Sequence, residues 1–477
     1  MKITGLTARI ILIFCLLLPV ACTVGPDYVR PTPFETMPTA YKELEGWKVA
    51  QPQDGIVSGR WWEIYHDPVL NALEEQIAIS NLTIASAEAR FRQARAQVQA
   101  AKAGYFPSLS AGASATRSRR SHNLGGGNTG GESTSSDFLL PLDVTWELDM
   151  WGRIRRGVEA SQAGAQASAA DLAAATLSAQ SELAGDYLQL RVLDAQKQLL
   201  DDTATVFRKS LELTKNRYAA GVVAKADVLQ AETQLKSTEA QAIDLGVQRA
   251  HLEHAIALLI GKPPAAFSLP ATSLATAIPQ IPTGLPSELL ERRPDIASSE
   301  RRMSAANAQI GIATAAYFPT IRLSAAAGFE ASSLGTWFAW PSRFWSVGPA
   351  VSAILFDGGL RKAQSDQARA AYDATVAAYR ETVLTGFQEV EDNLAALRIL
   401  EEEARVLDQA VQAAQQVVTI TRNQYQAGTV AYINVLVAQT IALANERAAL
   451  ALQGQRLAAS VLLIKALGGG WIPMEPT

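Results

Sequence analysis

Asn216-Arg-Tyr-Ala-Ala-Gly221 returns 207 residues later as Asn423-Gln-Tyr-Gln-Ala-Gly428. The same offset carries Asp227-Val-Leu-Gln-Ala231 onto Asn434-Val-Leu-Val-Ala438, Leu190-Arg191 onto Leu397-Arg398, and Ile260-Gly261 onto Leu467-Gly468. Nearer the N-terminus the offset is 212: Ile84-Ala-Ser-Ala-Glu88 matches Ile296-Ala-Ser-Ser-Glu300, and Tyr105-Phe-Pro107 matches Tyr317-Phe-Pro319. A repeat of this length predicts two similar structural halves. Gly221 and Gly428 suit the left-handed backbone that commonly ends a helix, which other residues adopt only at a cost.

The residues before each glycine predict very long helices. Neither 152–218 nor 358–426 contains a proline. In the first, Leu183, Leu190, Leu193, Leu200, Phe207 and Leu211 recur in steps of 3, 4 and 7. In the second, Val383, Val390, Leu394, Leu397, Leu400, Leu407, Val411 and Val418 do the same. That spacing is a coiled-coil-like seam, and alanine fills much of the remaining surface. At ~1.5 Å per residue, such a helix is a rod of about 100 Å. The alternative is a compact bundle of shorter, kinked helices, which the missing prolines disfavour. Each half then shares one order: a helix of about 30 residues (68–104, 291–316), two short alternating segments, a long helix, a glycine turn and a second long helix.

The clearest alternating segment is 137–149. Phe138, Leu140, Leu142, Val144, Trp146 and Leu148 fall on one side; Asp137, Asp143, Thr145, Glu147 and Asp149 fall on the other. Segments 107–117, 320–329 and 345–356 alternate more weakly. Strands of ~9–11 residues with aromatics at both ends suit the wall of a transmembrane barrel. Tyr105, Phe106, Trp146, Trp151, Tyr317 and Phe318 gather at one end, and Trp337, Phe338, Trp340, Phe344 and Trp345 at the other. Two strands per half make four per chain, whereas single-chain barrels start at about 8. An open edge in lipid leaves unpaired backbone groups, so a membrane barrel built from this chain must be shared among copies.

The N-terminus reads as an export signal. Lys2 and Arg9 precede an apolar stretch, Ile10 to Ala21, too short to span a membrane. Ala21 before Cys22 is the lipoprotein pattern, in which the cysteine becomes the acylated first residue. Pro19 stands where an aliphatic residue is usual, and the alternative is ordinary cleavage leaving a free thiol. Thr23, rather than aspartate, follows the cysteine and permits delivery to the outer membrane. The expected division is a signal peptide 1–21, a lipid-anchored extended segment 22–67, a first structural repeat 68–261, a proline-rich linker 262–290, a second repeat 291–468 and a tail 469–477. No later segment offers ~18 uninterrupted apolar residues, so helical membrane spans are not expected.

Composition excludes other classes. Of 477 residues, 48% are hydrophobic and 18% charged, which is not a disordered composition. A net charge of -4 argues against nucleic acid as the partner. Cys15 and Cys22 are the only cysteines, so the mature chain has no disulfide framework or cysteine-rich metal site. Gly125, Gly127 and Gly130 spell G-x-G-x-x-G, but in a Gly/Ser/Thr-rich stretch between strands rather than a strand-to-helix turn, so an external loop is expected. His251 and His254 lack further metal ligands nearby and read as a solvated helix face. Arg117, Arg119 and Arg120 fall near the outer end of the first strand, where lipid phosphate or solvent would meet them. No nucleophile–base constellation occurs; no catalysis and no cofactor is expected.

These features together resemble the outer membrane factor family, the lipoprotein channels of tripartite efflux systems. The resemblance rests on Cys22-Thr-Val-Gly-Pro-Asp-Tyr-Val-Arg-Pro31, Trp61-Trp62, Asp67-Pro68 and the paired Tyr-Phe-Pro motifs. It rests also on Leu148-Asp-Met-Trp-Gly152, Phe356-Asp-Gly-Gly359 and the ending Ala466-Leu-Gly-Gly-Gly-Trp471. It implies a mixed α and β membrane protein, a homotrimer whose 12-stranded outer-membrane barrel continues into a helical barrel across the periplasm of a Gram-negative bacterium. It implies a passive export duct for drugs or other small toxic compounds, working with a periplasmic membrane-fusion adaptor and an inner-membrane pump of RND type. The other function class is a lipid-anchored coiled-coil scaffold or adhesin without a pore. By the resemblance, Gly221, Val222, Gly428 and Thr429 mark the adaptor-docking tips. Tyr218 and Tyr425 would bridge neighbouring coils at the periplasmic mouth, and Asp227 matches a gate carboxylate. Asn434 and Val437 stand where acidic residues are frequent in the family, which implies a less cation-selective mouth.

Overall fold

The computed structural model describes residues 23–33, 40–43, 59–119, 134–272, 278–279, 281 and 292–469. Cys22, Arg120 and the glycine motif at 125–130 lie outside them. A 3-10 turn, Trp61–Tyr65, precedes helices α1 (Pro68–Ser80) and α2 (Leu82–Ala103). Then come strands β1 (Ser108–Ala111), β2 (Ser114–Arg119) and β3 (Thr134–Leu148), and helices α3 (Arg153–Ala219) and α4 (Lys225–Leu259). The second half brings α5 (Pro294–Ala315), β4 (Thr320–Ala331), β5 (Arg343–Ser352), α6 (Leu360–Gln426) and α7 (Tyr432–Ala466). The two long helices have 67 residues each, their partners 35 each, and α2 and α5 22 each.

The contacts divide the chain into two compact units. The first, Met1–Pro31, Arg92–Ala167 and Ser299–Ala378, holds an antiparallel sheet in the order β1/β2–β3–β4–β5. Three sequence expectations change in the structure. The strand expected over 107–117 runs to Arg119 and is interrupted at Gly112 and Ala113, yet its register against β3 is unbroken: Ala111 faces Leu142 and Ser114 faces Leu139. Gly112 donates its N–H to the Pro141 carbonyl at 3.0 Å, but proline has no N–H to return. The strand expected over 345–356 ends at Ser352, because its ladder partner β4 begins at Thr320, directly after Pro319. The single helix expected over 68–104 is two. Asn81, at φ -70 and ψ 122, breaks it, accepting from the Ile84 N–H at 3.0 Å and donating to the Leu259 carbonyl at 2.7 Å.

Residues just after Cys22 are pinned within this unit. Val24 N–H donates to the Trp151 carbonyl at 3.2 Å, Asn307 donates to the Pro26 carbonyl at 3.0 Å, and the Tyr28 hydroxyl donates to Glu300 at 3.0 Å. Arg156, itself buried, pairs with Asp27 at 2.6 Å and Glu159 at 2.8 Å.

The second unit comprises Thr32–Phe91, Ser168–Ser298 and Tyr379–Thr477. Its core packs Trp61, Leu70 and Ile77 against Leu183, Tyr187 and Leu190 of α3, Val390 and Leu394 of α6, and Leu457 and Ile464 of α7. Every residue named for the first seam is buried. In the second seam Val383, Val390, Leu394 and Leu397 are buried, while Leu400, Leu407, Val411 and Val418 are half-buried. The buried Asp194 side chain takes Arg191 at 3.0 Å and Arg249 at 2.7 Å, and these guanidiniums reach the linker carbonyls of Pro270 and Leu269 respectively. Of the described helices, α7 alone has the length and mean hydropathy of a membrane span, but Leu457, Val461, Leu463 and Ile464 are buried in this core.

Candidate functional site

Side chains alternate across a strand, so register decides which residues share a face. On β3, one face carries Phe138, Leu140, Leu142, Val144, Trp146 and Leu148. Beside them the pairing sets Leu109 and Ala111 of β1, Leu323 and Phe329 of β4, and Trp345, Val347 and Val351 of β5. Much of this apolar face is open: Leu109 is 65% exposed, Trp345 77% and Val347 72%. The opposite face carries Asp137, Asp143, Thr145 and Glu147 of β3, Ser108, Ser110 and Thr116 of the first strand, and Arg322, Ser324 and Glu330 of β4. Leu139 and Phe344 interrupt its polarity, and the Phe344 ring leaves just enough room for hydrogen at Gly328.

Ten residue steps from Phe138 to Leu148 make ~34 Å of strand, or ~26 Å of height at a tilt of about 40°. Aromatic residues close both ends. At one end Trp151 stacks on Phe318 at 4.8 Å, and the Trp146 indole donates to the Tyr105 carbonyl at 3.0 Å. At the other, Trp337 contacts Phe138 at 5.6 Å and Phe338 at 5.0 Å. The outer edges of β1/β2 and of β5 have no strand partner among the described residues.

The second unit presents two helical tips. Gly221 has φ 74 and Gly428 φ 77. At each, two crossed hydrogen bonds close the helix: Val222 to Arg217 and Gly221 to Tyr218, then Thr429 to Gln424 and Gly428 to Tyr425. Asp227 and Asn434 occupy the same place, the first turn of α4 and of α7; their N–H groups reach Ala224 and Ala431 at 3.1 Å each. Asp227 is half-buried, whereas Asn434 and Val437 are exposed.

The two tyrosines sit differently. Tyr218 is 46% exposed, but Tyr425 is 5% exposed and packs inside its own chain. Its ring meets Tyr432 edge to face at 5.4 Å and lies 4.6 Å from the Arg217 guanidinium. Arg217 also donates to the Tyr425 carbonyl at 2.9 Å and the Gln426 carbonyl at 3.2 Å, tying the first hairpin to the second. Burial, then the neighbouring Tyr425 and the Asp227 charge, push the Tyr432 hydroxyl up to about 12. Arg217 and Tyr432 were not singled out from sequence. The available signal was that Arg217 stands where the second copy has Gln424, a cation at a helix C-terminus.

His251 and His254 both lie exposed on α4. Within the described residues no group of three or more His, Cys, Asp or Glu side chains could hold a metal.

A family model described as outer membrane efflux protein matches residues 73–262 and 285–469. The toluene efflux pump outer membrane protein TtgC of Pseudomonas putida is 31% identical over 455 residues, covering 94% of this chain and 93% of its own. The pyoverdine export outer membrane protein OpmQ of Pseudomonas aeruginosa is 32% identical over 423 residues, covering 86% and 87%. The solved outer-membrane channel OprN superposes with a TM-score of 0.87 at 32% identity, covering 94% of this chain and 100% of that one.

Proposed function

The chain belongs to the outer membrane efflux protein family, and from that premise we propose that three copies form one export duct through the outer membrane. The observation that carries this reading is a sheet with one apolar face, one polar face and two unpaired edges. Four strands from each of three chains give 12, enough to close a barrel and leave an aqueous lumen. The apolar faces then meet lipid, the carboxylate-bearing faces line water, and no backbone edge is left open. The matched lengths of α3 with α6 and of α4 with α7, and the two segments of the family match, support an internal duplication. In the trimer, each chain's four long helices supply a third of a 12-helix periplasmic barrel.

The duct is passive. An inner-membrane pump, through a periplasmic adaptor seated on the tips at Gly221, Val222, Gly428 and Thr429, supplies the energy and the choice of cargo. TtgC is named for toluene and OpmQ for pyoverdine, although this chain is equally similar to both. We assign it small toxic organic compounds, antibiotics included. Deleting the gene in a strain without a redundant channel should lower the inhibitory concentration of several such compounds at least fourfold. Unchanged susceptibility to every compound tested would argue against an efflux role. Purified protein should conduct in planar bilayers, where a non-conducting scaffold would not. Acylated Cys22 would anchor each chain beside its barrel, and the intact mass of the mature N-terminus reads the added chains directly.

Asn434 and Val437 would face the lumen at the mouth, where Asp227 supplies the remaining carboxylate. A ring of acids in a narrow mouth concentrates cations by focusing the field. Asn434→Asp/Val437→Asp should therefore shift the reversal potential in a salt gradient toward the cation limit. An unchanged reversal potential means that these positions lie off the conduction path.

A further inference from the structure

At one end of the sheet's polar face the first unit forms a half-open cavity of about 750 Å³. That volume falls within the ~300–1,000 Å³ of pockets that hold small organic molecules. One wall is apolar: the small residues Ala100, Ala101 and Gly104 around α2 and Gly157 of α3 leave the space, and Ile154 of α3 and Ile312 of α5 flank it. The sheet side mixes the polar Ser108, Thr145, Glu147, Arg322 and Ser324 with apolar Trp146 and Leu323.

Charge sorts the possible ligands. Glu147 accepts from Arg153 at 2.9 Å, and Arg322 stands 4.0 Å away, beyond hydrogen-bond reach. Two guanidiniums thus face one carboxylate that is already engaged. The Arg322 side chain is 67% exposed and that of Arg153 46%. A guanidinium offers planar paired donors that match a carboxylate or sulfonate. A bound cation would instead compete with Arg153 for Glu147 and meet Arg322 as a like charge.

We propose that this cavity is a transit subsite for amphipathic organic anions, in which an aromatic or alicyclic body lies against the alanine wall and its carboxylate or sulfonate pairs with Arg322. The subsite rests on the reading of the polar face as the lining of the duct. The small wall residues matter because they leave the space. A Cβ added at Gly157 meets no atom within 4 Å, so a larger side chain there fills the cavity without strain.

The probe is naphthalene-1-sulfonate, equilibrated by dialysis against the assembled full-length protein in nanodiscs, with empty nanodiscs subtracted. Saturable uptake of about one probe per chain is expected. Arg322→Gln should weaken it at least tenfold by removing the charge, and Gly157→Leu at least tenfold by filling the space. The cation 1-naphthylmethylammonium should bind at least tenfold more weakly than the sulfonate. Equal uptake of anion and cation, or uptake unaffected by both substitutions, overturns the subsite. Conductance of the same preparation in planar bilayers separates the two readings: a conducting protein without saturable uptake sinks the subsite and leaves the duct standing, whereas an absence of conductance counts against the duct.

Discussion

Gly328→Val is expected to abolish assembly: recovery from detergent of the proposed trimer, weighed by native mass spectrometry, should fall at least tenfold. Gly328 lies in β4 opposite Pro141, in the middle of the β3–β4 pairing that joins the two halves of the chain in one sheet. A Cβ built there sits well inside van der Waals contact with the Leu140 carbonyl oxygen and presses on the Phe344 ring. The first of these neighbours is backbone of the paired strand, so relief requires the strands to separate. Separation exposes N–H and C=O groups on both, each costing several kcal/mol in lipid. Such a loss belongs to the exceptional end of single substitutions. Gly335→Val is the control. It lies in the short turn after β4, where an added Cβ meets nothing within 4 Å, and it should assemble normally. Normal trimer from Gly328→Val would mean that β3 and β4 do not pair in the assembled protein.

Glu74→Gln is expected to stabilise the protein, increasingly so as pH rises. Glu74 sits on α1 with 0% exposure, and neither carboxylate oxygen has a hydrogen-bond partner. The indole N–H groups of Trp61 and Trp62, in the preceding turn, are also buried without one. Burial pushes the Glu74 carboxyl from its ordinary 4.5 up to about 9, so the folded protein holds it neutral at pH 7. The unfolded chain releases that proton near pH 4.5. Below pH 4.5 both states are protonated and the group is neutral with respect to folding. Between pH 4.5 and about 9 only the unfolded state ionises, and stability falls with rising pH. The penalty reaches on the order of 3 kcal/mol at pH 7, at ~1.36 kcal/mol per pH unit. Glutamine cannot ionise. Thermal melts should therefore nearly coincide near pH 4.5, with the variant melting several degrees higher at pH 8. Parallel pH profiles for the two proteins would show that the carboxyl finds a partner in the assembled protein.

How much of this was legible in the chain depends on the range of the interaction. The long helices were readable because a seam in steps of 3, 4 and 7 needs only local periodicity and the absence of proline. Leu183 through Leu211 all proved buried. The glycine turns were readable because a positive φ is a property of one residue, and Gly221 and Gly428 both have it. The two faces of β3 followed from alternation alone. The ends and interruptions of elements were not readable. Pro141 silences a ladder bond of a strand some 30 residues away in sequence, and Asn81 ends a helix by reaching the Leu259 carbonyl. Neither partner is visible until the chain has folded.

The residues by themselves determined two similar halves, rod-like helices closed by glycine, and strands with one apolar and one charged side. Each follows from forces acting within a few residues: backbone sterics, helix propensity and the period of the side chains. The tertiary structure alone decided that β4 of the second half pairs with β3 of the first, leaving an edge on either side of the sheet without a strand partner among the described residues. It alone decided that Tyr425 packs against Arg217 and Tyr432, and that Glu74 loses its charge. These outcomes depend on which distant groups meet and on how much water they exclude, and hydrogen bonding and desolvation act only once the chain has brought them together.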